Sequence, residues 1–97
     1  MAAVLEPAKA TDGSPADEAR RELTLARMLW KKGNAGKAVE WARKSLAVVP
    51  SAGAYALLGE ILVAQGQCPA ALPLFEAALK IDPAEPVALQ GHQACAR

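Results

Sequence analysis

Two punctuation marks recur along this chain at one spacing, and that recurrence limits its fold more than any other feature. The step from Gly33 to Gly66 is the same as the step from Pro50 to Pro83. Each glycine follows an apolar stretch of helical period and precedes a second one, which the proline then ends. Glycine reaches the left-handed conformation that closes a helix without the strain a Cβ brings. A proline just past a helix cannot extend it. The unit marked in this way is a helix–turn–helix hairpin, present over residues 19–51 and again over 52–85. Leu25, Leu29, Ala38 and Leu46 of the first copy fall opposite Leu58, Leu62, Ala71 and Leu79 of the second. A hairpin with one apolar flank cannot bury it alone, so the two copies must stack.

Composition supports this reading. Of the 97 residues 53% are hydrophobic but only 4% aromatic, so small and aliphatic side chains dominate, as helices favour. These values exclude a disordered chain, and 7 Gly, 7 Pro and 2 Cys exclude a collagen-like or disulfide-dense one. No apolar stretch approaches the roughly 18 residues of a membrane span. Residues 1–13 lack a period and are expected to form a flexible tail. Ser14, Pro15, Asp17 and Glu18 then supply a helix start, and Pro86 opens a closing helix over 86–97. The expectation is an all-α domain over 14–97 with about five helices. Pro73 lies one helical turn after Pro69, which predicts an irregular start near 68–72.

The second unit resembles a tetratricopeptide repeat. Tyr55, Leu58, Gly59, Gly66, Ala71, Phe75, Ala78 and Pro83 occupy the positions of that family's signature. The first unit keeps Leu25, Gly33, Ala38 and Pro50 but has Glu22 and Ala42 for the two aromatics and Ala26 for the first glycine, with Trp41 beside Ala42 to fill part of the missing volume. The resemblance implies a short right-handed solenoid of antiparallel hairpins whose first helices line a concave groove for an extended peptide or a helix. Carried onto this chain, the groove presents Arg20, Leu23, Arg27, Trp30 and Lys31, then Ala56, Leu57, Glu60, Val63 and Ala64. The carboxylate clamp of the best-known variant falls on Leu23, Arg27, Leu57, Val87 and Gly91, of which only Arg27 suits it, so a chaperone tail is not the expected ligand.

Charge is polarised. Residues 19–51 carry eight basic side chains against Glu22 and Glu40, a net +6, while 52–85 carry Lys80 against four carboxylates, a net −3. The expected function is a protein-interaction module, an adaptor or scaffold binding a partner peptide or helix on an apolar floor with a basic rim. The alternative is a self-assembling unit, a homodimer or oligomer formed through its repeat faces or the nearly uncharged last helix. Nucleic acid is not an expected partner, since no stacking aromatics accompany the basic groups. No enzyme is expected: the lone His92 has no paired nucleophile or carboxylate by spacing, and no metal or cofactor motif is present. Cys68 and Cys95 have no second pair, and their spacing fits neither a zinc motif nor a disulfide framework. They are expected as two free, partly buried thiols in a reducing compartment. The N-terminus carries no secretory pattern, so the expected location is cytoplasmic.

Overall fold

The computed structural model describes residues 14–96, all helices and short turns; the tail expected over 1–13 lies outside the described residues. Five helices follow one another: α1 (Pro15–Lys31), α2 (Ala35–Val48), α3 (Ala52–Ala64), α4 (Cys68–Ile81) and α5 (Pro86–Ala96). Helices α1 and α2 form one hairpin and α3 and α4 the next; α2 packs on α3, and α5 lies against both α3 and α4. The fold is all-α.

Local chemistry sets the boundaries. The Ser14 hydroxyl accepts the Asp17 amide at 3.4 Å, Asn34 Oδ1 accepts that of Lys37 at 3.2 Å, and the Ser51 hydroxyl accepts that of Ala54 at 3.2 Å. Each satisfies a helix-start donor that has no partner within the helix. Both hairpin turns close alike. Gly33 and Gly66 have φ of +87° and +77°. Beside them Asn34 N donates to Leu29 O at 2.9 Å and Gln67 N to Leu62 O at 2.8 Å. These are the same six-to-one bonds at equivalent positions of the two copies, so the repeat is visible in the backbone itself.

The core is built largely of alanine, and its two clusters follow the repeat. One gathers Leu23, Ala26, Ala38, Ala42, Ala54, Leu57, Leu58 and Ile61, with Trp30 and Trp41 half-buried against it. The other gathers Ala52, Ala56, Ala71, Phe75, Ala78 and Ala88, with Tyr55 half-buried against it. Methyl-sized side chains let helix backbones approach closely, which places a premium on shape. A Cβ on Gly59 would come within 2.5 Å of the Phe75 ring, and so would one on Gly91. The ring is therefore clasped between α3 and α5. Helix α3 is the centre of the fold, buried on most of its surface, with Glu60 as its lone charge.

Two expectations are corrected. Helix α4 runs as regular α-helix from Cys68 straight through Pro73. Pro73 is exposed, so the ring leaves the core undisturbed; the one carbonyl it deprives of a partner, that of Pro69, belongs to an equally exposed residue in the first turn. The second correction concerns the cysteines, which are not free thiols. Cys68 and Cys95 are joined as a disulfide, with Cα atoms 5.2 Å apart. An antiparallel helix pair places the first residue of α4 beside the end of α5, and spacing along the chain does not reveal that. Closing a loop of this length restrains the unfolded chain by about 3–4 kcal/mol.

Candidate functional site

A cleft of about 260 Å³ opens between α1, α3 and the start of α5, lined by Arg27, Trp30, Lys31, Gly53, Ala56, Leu57, Glu60, Glu85 and Val87. Helical period explains the first wall: Arg27 stands one turn before Trp30 and Lys31, so the three share one face of α1. Ala56, Leu57 and Glu60 do the same on α3. Gly53 makes the approach of the two helices possible, since a Cβ there would stand 2.7 Å from the Arg27 guanidinium and 3.0 Å from Leu23.

The floor is apolar, formed by half-buried Trp30, buried Ala56 and Leu57, and half-buried Val87. Its edges carry opposite charges. Arg27 and Lys31 stand on the α1 side, while Glu60 of α3 and Glu85 before α5 stand on the other. Among the described residues neither Arg27 nor Lys31 forms an ion pair. Glu85 is held in place by its own helix, because its Oε1 accepts the Ala88 amide at 2.9 Å and so caps α5. That bond holds a carboxylate at the mouth of the cleft.

The structure thus gathers Arg27, Trp30, Lys31, Leu57 and Glu60 of the sequence-derived groove, together with Ala56. The other members lie elsewhere. Leu23 is buried in the first core, and with Arg20 it borders a separate hollow beside Ala16, Ala19, Val49 and Ser51. Val63 lines a neighbouring depression with Glu60, Phe75, Val87 and Gln90. Ala64 ends α3 in solvent. Glu85 was absent from the groove derived from the sequence and Val87 entered only as a clamp position, because one precedes the closing helix and the other lies in its first turn, and that helix is seated against Phe75 through Gly91. The signal for them was present: Pro86 marks a helix start, and a third hairpin's first helix would line the same groove.

No cluster of His, Cys, Asp and Glu able to hold a metal occurs among the described residues. His92 is half-exposed, with Nε2 3.5 Å from Glu76 Oε2, an ion pair only when the ring is protonated. No helix of the described chain is long and apolar enough to cross a membrane.

A comparison with curated proteins gives no match. Residues 51–81 match the family model described as tetratricopeptide repeat, a span that opens at the Ser51 cap of α3 and closes at Ile81, the last residue of α4. The match is confined to the α3–α4 hairpin, which is similar to a tetratricopeptide repeat, and the α1–α2 hairpin repeats its turn bonds.

Proposed function

We propose that the chain is a protein-interaction module that takes a partner segment into the cleft between α1, α3 and α5. Repeats of this family serve in general as such modules. The observation that carries the reading is the cleft's lining: an apolar floor around Trp30 and Leu57 between a basic edge, Arg27 and Lys31, and an acidic one, Glu60 and Glu85. A floor of this kind suits one aromatic or aliphatic anchor side chain, and the polar edges set the direction in which the segment lies. The matching partner carries a carboxylate to the α1 side of its anchor and a cation to the other. No catalytic group enters the reading, and the cytoplasm is its expected setting.

The test is affinity capture from the native cell with quantitation by mass spectrometry. Two variants serve, Trp30→Ala and the double reversal Arg27→Glu/Lys31→Glu, each checked for helix content by circular dichroism. A genuine partner falls at least about tenfold in recovery with either variant. Equal recovery by wild type and both variants overturns the assignment. Leu57 is unsuited to the test because it is 4% exposed, and its replacement strikes the core as well as the cleft.

A second reading, self-assembly, rests on one observation. Leu89 stands 41% exposed on a closing helix that carries no charged side chain among its described residues. Light scattering across a concentration series decides it, since a constant monomer mass at millimolar concentration excludes that reading.

A further inference from the structure

We propose that Cys68 and Cys95 form a thiol–disulfide exchange site for a dithiol reductant, and that its state decides whether α5 stays docked and the cleft keeps its third wall. The consequence for binding rests on the cleft reading above; the release of α5 rests on the second hairpin alone.

Three observations converge. The bond ties the first residue of α4 to the last turn of α5, so it holds the far end of the closing helix. Apart from it α5 is held by a narrow apolar seam against α3 and α4. Ala88 is its one buried residue, Val87, Gly91, His92 and Cys95 are half-buried, and the rest of its side chains face solvent. The His92–Glu76 pair adds little, because both side chains are largely exposed. At 11 residues α5 also falls short of the length at which an isolated helix persists in water, about 12–15, so an undocked α5 melts. Finally, α5 and the turn before it give Val87 and Glu85 to the cleft, and Gly91 covers the ring of Phe75.

The exchange is feasible as the residues stand. Both cysteines are half-buried at the edge of the second core cluster and are not sealed inside it. Cys68 opens α4, where the positive end of the helix favours a thiolate, so it is the better leaving group. One thiolate of the dithiol attacks Sγ of Cys95, the Cys68–Cys95 bond breaks, and its electron pair leaves on Cys68, which takes up a proton. The reductant's second thiol, giving up its proton, then attacks the mixed disulfide and frees Cys95, which is protonated in turn. Two electrons pass to the protein, and the reductant departs as its own disulfide. In a reducing compartment disulfides are transient, which makes such a bond a control point there.

Hydrogen exchange of the full chain, read by mass spectrometry before and after dithiothreitol, tests the proposal. The expected result is exchange faster by about tenfold or more over 86–96 on reduction, with 35–64 changed less than about twofold. Thiol titration runs alongside, expecting none before reduction and both cysteines after it. The Cys68→Ser/Cys95→Ser variant, which cannot form the bond, should show the reduced pattern without reductant. Protection of 86–96 that survives reduction overturns the proposal, as does an equal loss of protection over 35–64, or two free thiols in the air-oxidised chain. No partner enters this measurement. A failed capture experiment therefore leaves it standing, and unchanged exchange leaves the capture result standing.

Discussion

In the second hairpin Phe75 is fully buried between Gly59 and Gly91, whereas the equivalent residue of the first, one repeat earlier, is Ala42. The place of Gly59 is taken by Ala26, and that of Ala78 by Ser45. All of these are buried or half-buried, and the two helix pairs have the same order and the same turn bonds. What differs is how the interior is filled. The second hairpin fills it with one ring and makes room through glycine. The first divides the volume among methyl groups, leans Trp30 and Trp41 against the outside, and adds a polar tie. Ser45 Oγ donates to Ala19 O at 2.7 Å, a buried bond from α2 back to α1. The signature residues therefore work as coupled sets: the aromatic needs the glycine, and where the aromatic is absent alanine serves in both places.

Removing the ring should give the largest effect. Phe75→Ala leaves a cavity bounded by α3 and α5 and is expected to cost about 3–5 kcal/mol, read as a fall in the urea midpoint. A loss below about 1 kcal/mol would mean that the helices collapse onto one another, and that the second hairpin is an alanine-packed unit like the first.

A transplant sharpens the point. Ala42→Phe in the first hairpin is expected to destabilise by about 1–3 kcal/mol through overpacking, with most of that recovered when Ala26→Gly is added. The double-mutant cycle should show a favourable coupling of at least about 1 kcal/mol. Strict additivity would break the coupled-set argument.

Ser45→Ala comes next. It removes a second donor to the Ala19 carbonyl, which keeps its helical partner, and the expected cost is about 0.5–1.5 kcal/mol by chemical denaturation. At the equivalent place the second hairpin already has Ala78, so Ala78→Ser should bring no matching gain. A cost for Ser45→Ala near zero would reduce the polar tie to an accident of packing.

These contrasts also show what the sequence could and could not reveal. Gly66, Pro83 and their partners one repeat earlier act through local backbone preference, so the hairpins and their limits were legible. Trp30, Leu57 and Glu60 were placed in one groove by the resemblance to the repeat family, and helical period adds only which residues of one helix share a face. The remainder depended on long-range contact. Leu23 follows the same period as Arg27, but it turns into the first core because Gly53 lets α3 come close. Glu85 and Val87 join the cleft because α5 is seated on Phe75. The disulfide was missed for the same reason: the spacing along the chain pointed to free thiols, and only α4 and α5 laid side by side bring Cys68 and Cys95 together. The charge polarity was plain from the start, but the facing carboxylates of Glu60 and Glu85 turn a basic rim into a cleft with two signs.

The smallest effect belongs to the surface of the first hairpin. Lys44 Nζ lies 4.2 Å from the centroid of the Trp41 ring, one turn along α2. Trp41 is half-buried and Lys44 exposed, so the ring's face is partly wetted and the attraction between cation and ring is weakened by solvent. Lys44→Ala is expected to cost only about 0.5–1 kcal/mol, partly offset by the slightly better helix propensity of alanine. Lys44→Met separates the parts, because it keeps the aliphatic cover over the indole and removes the charge. If Met restores the wild-type midpoint, Trp41 is held by contact area alone. The first hairpin would then owe its stability to methyl packing and the Ser45 bond, with no share from the basic surface that distinguishes it from the second.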